Sequence, residues 1–216
     1  MKYLTLFALC LFGLTSLALV NQSNASSHAN DQTIFLPYLH DQRTGVCVKE
    51  QNGTAIAELE MYSETDWTLH TSPSGFAGSG FLEWENGNHY VRPNSGLMTF
   101  NFQISSAGTY HFRIHNLHTH PDPTEENDIW TRLNQGTWVK TFSSEGGVWT
   151  WLTHFEYADH SQNQNPTFDL AEGIHTLEIA ARSEGFAIDR ILLTKNNLAD
   201  MTDISIPASP VCDGWE

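Results

Sequence analysis

Positive charge is what this chain has least of. Its 216 residues carry 10 lysines and arginines against 25 aspartates and glutamates, a formal net charge of −15 at pH 7. Such a surface repels nucleic acid and anionic membrane, which excludes both as partners held by charge. Familiar catalytic motifs are missing as well. There is no Gly-x-Ser-x-Gly elbow, no His-Glu-x-x-His pair and no glycine-rich phosphate cradle. Beyond the N-terminal apolar run, no segment repeats its apolar residues at helical spacing, and no internal repeat is visible. Cysteine is scarce, at 3.

What is present begins with an export signal. Met1-Lys2-Tyr3 precedes an apolar run from Leu4 to Val20, which ends in Asn/Ser-rich sequence with small residues at Ser23 and Ala25. This is the pattern of a secretory signal peptide over residues 1–25, cut after Ala25. No basic cluster follows to stop transfer, so no membrane insertion is expected of the mature chain. The expected location is secreted or periplasmic. Cys10 leaves with the signal peptide, and Cys47 and Cys212 remain, an even pair in an exported chain. They either bridge, tying the two ends of the folded region together, or persist as two thiols.

Residues 26–49 read as a polar lead-in and residues 196–216 as a tail that returns over the surface towards Cys47. Between them, residues 50–195 alternate short β-prone runs with Gly, Asn, Asp and Pro punctuation. Met98, Phe100, Phe102 and Ile104 oppose Leu97, Thr99, Asn101 and Gln103, and Tyr110, Phe112 and Ile114 oppose His111, Arg113 and His115. Such alternation belongs to half-buried antiparallel strands with one wet face. About ten short strands in one domain predict an all-β, jelly-roll β-sandwich.

Acidic residues fall inside two of the apolar runs. Ala57-Glu58-Leu59-Glu60 stands near the start of the body and Ile188-Asp189-Arg190-Ile191 near its end. On a strand, Glu58 and Glu60 share one face, where like charges repel unless a cation lies between them. The pair therefore marks either a solvated face or an oxygen-rich site of the kind Ca²⁺ takes. Arg190 is expected to pair with a surface carboxylate for a modest gain.

Six segments in order resemble a known group. They are Ala57-Glu58-Leu59-Glu60, Gly78-Ser79-Gly80-Phe81-Leu82-Glu83-Trp84, Ala107-Gly108-Thr109-Tyr110, Gly146-Gly147-Val148-Trp149-Thr150-Trp151, Leu170-Ala171-Glu172-Gly173-Ile174-His175-Thr176-Leu177 and Ile188-Asp189-Arg190-Ile191. Together they are similar to the β-sandwich carbohydrate-binding modules of families 6, 35 and 36, which have a galactose-binding-domain type of jelly roll. The resemblance covers residues 50–195. It implies a structural calcium ion held by Glu58, Glu60 and Asp189. It also implies a non-catalytic domain whose partner is a polysaccharide or glycan. The sugar site departs from the family-6 pattern, because Val148 stands where an aromatic residue belongs and Ala187 where an asparagine is frequent.

The longest polar connection, from His115 to Asp128, supplies the expected ligand loop. Sugars present C–H faces to aromatic rings and hydroxyls to amides and carboxylates. Asn127, Asp128, Trp130, Trp149 and His118 are therefore the candidate ligand-binding residues, against the plainer reading of a solvated loop stiffened by two prolines. His118, His120, His154 and His160 offer a motif-free zinc alternative. Two rival functions stay open. One is a small secreted glycan hydrolase or lyase, whose carboxylates need be neighbours only in space. The other is a structural or adhesion sandwich without a sugar site.

Overall fold

The structure, a computed structural model, describes residues 45–62 and 65–215. The expected signal peptide, and residues 26–44 of the lead-in, lie outside the described residues. Among the described residues thirteen strands run in chain order: β1 Val46–Lys49, β2 Thr54–Glu58, β3 Thr68–His70, β4 Phe81–Glu83, β5 Met98–Ile104, β6 Gly108–Leu117, β7 Asp128–Leu133, β8 Val139–Phe142, β9 His154–Glu156, β10 Gln162–Asn163, β11 Thr167–Leu170, β12 Gly173–Ala181 and β13 Ala187–Thr194. A seven-stranded sheet has the order β1-β5-β12-β7-β8-β9-β10, and a second sheet the order β11-β6-β13-β4-β3, with β2 also paired to β13.

The period-two pattern decides which side chains face inward. From β5 the residues Met98, Phe100, Phe102 and Ile104 enter the core, from β6 Tyr110, Phe112 and Ile114, and from β12 Leu177, Ile179 and Ala181. Both sheets bury one face against the other, which makes the molecule an all-β sandwich of jelly-roll type.

The structure corrects the sequence reading in several places. Val46–Lys49, assigned to the polar lead-in, is strand β1, and it pairs parallel to β5 in a fold otherwise built from antiparallel pairs. Cys47 and Val48 are fully buried, so this apolar stretch earns its place by burial on both sides. The strand on which Glu58 and Glu60 were expected to share a face stops at Glu58, where pairing with β13 ends, and Leu59–Met61 form a 3₁₀ turn. Leu59 points into the core from that turn. Residues 150–153 form a loop that pairs once with β6 through Asn116 and Thr150.

Cys47 and Cys212 form a disulfide across 165 residues of sequence. Around it the tail docks by backbone bonds. Cys212 N–H donates to the Cys47 carbonyl at 3.0 Å, and Lys49 N–H to the Pro210 carbonyl at 2.8 Å. Further along, Ser209 N–H donates to the Ile56 carbonyl at 2.9 Å, and the Ile56 N–H donates to Ser209 Oγ, also at 2.9 Å.

Candidate cation cluster and ligand-binding face

Three neighbouring strands carry one polar row across the outer face of the second sheet. His115 on β6 lies opposite Arg190 on β13, which lies opposite Glu58 on β2. The register slips between Ile188 and Arg190, a bulge in β13. Ile188 and Ile191 still enter the core, so both residues between them turn outward. Asp189 thereby reaches His115 while Arg190 reaches Glu58. The His115 Nδ1 to Asp189 Oδ2 distance is 2.6 Å, and the Ala77 N–H donates to the same oxygen at 3.0 Å.

Arg190 grips Glu58 with two nitrogens, one of them Nε at 2.8 Å from Oε2, and donates through Nη1 to the Ile206 carbonyl at 2.7 Å. Glu58 and Arg190 are 6% and 3% exposed, so this is a buried pair and not the surface contact the sequence predicted. Burial pushes the Glu58 carboxyl above the ordinary carboxylate range, and Arg190 opposes the shift.

Glu60, on the 3₁₀ turn, completes the group. One carboxylate oxygen from each of Glu58, Glu60 and Asp189 lies within 4.8 Å of the other two. Glu60 Oε1 accepts from the Ser79 N–H at 2.8 Å. Gly78 makes that approach possible, because a Cβ there would sit 1.9 Å from the same oxygen. Two further carboxylate oxygens, Glu60 Oε2 and Asp189 Oδ1, are buried and find no hydrogen-bond partner among the described residues. A buried carboxylate oxygen without a donor is costly. An all-oxygen set with two such atoms fits a hard cation such as Ca²⁺.

Beside this cluster the 149–151 loop lays two rings near His115. Trp149 stacks on the imidazole at 5.0 Å and Trp151 lies 4.8 Å from it, with interplanar angles of 27° and 30°. Trp149 also packs edge-on against Phe81 at 4.8 Å, and Gly75 leaves room for its ring. Trp149 is therefore half-buried in a small aromatic cluster.

The seven-stranded sheet carries a second feature on its outer face. Ile129 and Leu133 of β7 pack inward, so Trp130 and Arg132 face out. Trp130 stands opposite Lys140 of β8, and Lys140 opposite Glu156 of β9. With Trp138, Tyr157, His160 and Arg182 these residues line a cleft of about 220 Å³. Tyr157 is 41% exposed at its edge. Lys140 Nζ and His160 Nδ1 each lie 3.1 Å from a Glu156 oxygen. The His160 contact, assisted by Lys140, holds the Glu156 carboxyl below its ordinary range. The Arg182 guanidinium lies 5.0 Å from the Trp130 ring centre and 5.1 Å from that of Tyr90.

The expected ligand residues divide. Trp130 is in the cleft and Trp149 is in the other aromatic cluster. Asn127 and Asp128 are not at the rim, where the sequence reading put them, but are 6% and 3% exposed. Asn127 Nδ2 donates to the Ser143 carbonyl at 2.8 Å, and Asp128 accepts from Arg182 and the Ser183 hydroxyl. Both side chains are spent on internal contacts, and Asp128 supports the cleft through Arg182. His118 is fully buried, with Gly146 against its ring, and burial pushes its imidazole below the ordinary histidine value. The zinc alternative is not assembled either. Among the described residues the metal-competent group is the Glu58, Glu60 and Asp189 set, while His120 contacts Asp122, His154 contacts Ser144 and His160 contacts Glu156. Lys140, Glu156 and Arg182 were missed by sequence reasoning. Only Lys140 carried a local signal, two residues after Trp138 in a β-prone run, while Glu156 and Arg182 reach the cleft through sheet register and a loop.

No family model matches the chain, and no curated protein matches it. Solved structures do resemble it. A family 35 carbohydrate-binding module from Cellvibrio japonicus is 17% identical with a TM-score of 0.48, over 67% of this chain and 94% of that one. A native family 35 module from Clostridium thermocellum is 16% identical with a TM-score of 0.44, over 65% and 96%. The GH26-CBM35 β-(1,4)-mannanase of Podospora anserina is 18% identical with a TM-score of 0.48, over 68% of this chain but 28% of the mannanase.

Proposed function

We propose that this protein is an exported, non-catalytic glycan-binding domain that holds a structural calcium ion and takes its ligand in the Trp130 cleft. The observation that carries the reading is the cleft itself, where Trp130, Lys140 and Glu156 on the sheet face meet Trp138, Tyr157 and Arg182 from the adjoining loops. Indole and phenol rings take the C–H faces of a sugar, and Lys140, Glu156 and Arg182 take its hydroxyls. Export rests on the signal-peptide pattern and on the disulfide. No helix among the described residues is long and apolar enough to cross a membrane.

A calcium ion would be held by Glu58, Glu60 and Asp189, with the partnerless oxygens of Glu60 and Asp189 as its new donors. Bound there it supplies positive charge that joins the end of β2 to β13. Removing it with EGTA lowers the melting temperature. At calcium one hundred times its Kd, the loss is about 2.7 kcal/mol. Glu60→Gln removes most of that calcium response in a thermal melt, and an unchanged wild-type melt would count against the ion.

For the glycan, a polysaccharide array followed by titration calorimetry gives the test. Trp130→Ala weakens the best ligand by roughly 30-fold, about 2 kcal/mol, because a central ring of this kind behaves as a binding hot spot. Equal binding by wild type and variant would remove the cleft from the proposal. Turnover of a polysaccharide by the purified chain would favour the hydrolase or lyase reading instead.

A further inference from the structure

Next to the cleft is a second hollow of about 410 Å³, lined by Asp66, Trp84, Asn86, His89, Asn94 and Ser95. Trp84 is its buried floor, with its Nε1 donating to the Gly87 carbonyl. The walls offer a carboxylate, two amides, an imidazole and a hydroxyl, and no lysine or arginine side chain. This is a set for reading hydroxyl groups, and its one formal charge is negative.

The two hollows are built on the same short stretch of chain. Arg182 lines the cleft with its side chain, and its carbonyl accepts the His89 N–H at 2.7 Å. Trp130 lines the cleft with its ring, and its Nε1 donates to the His89 carbonyl at 2.9 Å. The Ala181 N–H donates to the Ser95 carbonyl at 3.0 Å, and the Glu184 N–H to Asn88 Oδ1 at 2.8 Å. These bonds fasten the 88–95 loop to β7 and to the chain at and just after the end of β12, so the two hollows share one support. The Arg182 guanidinium lies against Tyr90, next in sequence to His89 of the second hollow, and against Trp130 of the cleft, and it pairs with Asp128. Tyr90 is 44% exposed.

We propose that the ligand site runs from the Trp130 cleft over Tyr90 and Arg182 into the Asp66–Asn94 hollow. The protein thereby grips several consecutive residues of an oligosaccharide and not a single terminal sugar. The inference rests on the glycan-binding reading above and adds to it the length of the ligand. A preformed second wall repays chain length, since each further sugar lands on groups already in place.

The test is calorimetry with cello-, xylo-, manno- and laminari-oligosaccharides of two, four and six residues. In the series that binds, the hexasaccharide is held about tenfold tighter than the disaccharide, roughly 1.4 kcal/mol. The double variant Asp66→Ala/Asn94→Ala, both at exposed positions, brings that ratio close to one. Binding that ignores length in the wild type, or a ratio the double variant leaves intact, overturns the extension and spares the cleft. No binding at any length, by any series, overturns the glycan reading and the extension with it.

Discussion

Arg190→Met lowers stability by about 3–5 kcal/mol when calcium is chelated, and added calcium returns part of that loss. The size of the effect follows from burial. Arg190 and Glu58 are both nearly solvent-free, and the guanidinium holds the carboxylate at two points. Methionine fills similar volume but leaves Glu58 charged, buried and close to Glu60 and Asp189. Removing one partner of a buried pair costs far more than the pair contributes, because the remaining charge cannot return to water. The variant also loses the bond from Nη1 to the Ile206 carbonyl. In a chain of this size the change corresponds to a fall in melting temperature on the order of 10 °C. A divalent cation at the cluster supplies the missing positive charge. The calcium-dependent rise in melting temperature is therefore larger for Arg190→Met than for the wild type. A variant that melts identically with EGTA and with millimolar calcium would show that these carboxylates do not bind the ion.

The parts of this site that could be read in advance are the ones written as local exceptions. Glu58 and Asp189 stood out because charged residues in apolar β-runs need a reason to be there. Their convergence is real, but the argument for Glu60 failed locally. It assumed a pleat over residues 58–60, and the chain instead leaves the sheet at Glu58 and turns. The bulge was legible and went unread. Ile188-Asp189-Arg190-Ile191 places two polar residues between two core residues, which a strict period of two cannot accommodate.

Other features depend on pairings that no short window of sequence contains. Asp128 looked like a loop-end residue free to meet a ligand, yet its partners Arg182 and Ser183 arrive from the end of β12. The cleft needs Trp130, Lys140 and Glu156 from three strands whose register only the folded sheet supplies. Sandwich class, by contrast, follows from alternation alone, since Phe100, Phe102, Phe112 and Ile114 declare an inner face without reference to their neighbours.

The Cys47–Cys212 disulfide yields the second large expected effect. Cys47→Ala/Cys212→Ala lowers stability by about 2–5 kcal/mol, towards the upper end because the closed loop is long. Alanine is the suitable replacement, as both cysteines are buried and a serine hydroxyl would need a partner there. The loss is not confined to unfolded-chain entropy. Strand β1 lies at the end of its sheet, with β5 on one side and the tail's Val211 bridged to Val48 on the other. Once the bridge is gone, little covalent constraint keeps residues 206–212 on that edge. Amide exchange then separates local from global effects. The Lys49 and Ile56 amides, bonded to Pro210 and Ser209, exchange faster in the variant. The amides shared between β6 and β13 in mid-sheet stay protected until global unfolding. Because Ile206 also accepts a bond from Arg190, release of the tail loosens the grip on Glu58. The double-alanine variant therefore gains more from calcium than the wild type does. A variant whose melting temperature and Lys49 exchange match the wild type would show that the tail is held by its own contacts and that the bridge adds nothing to them.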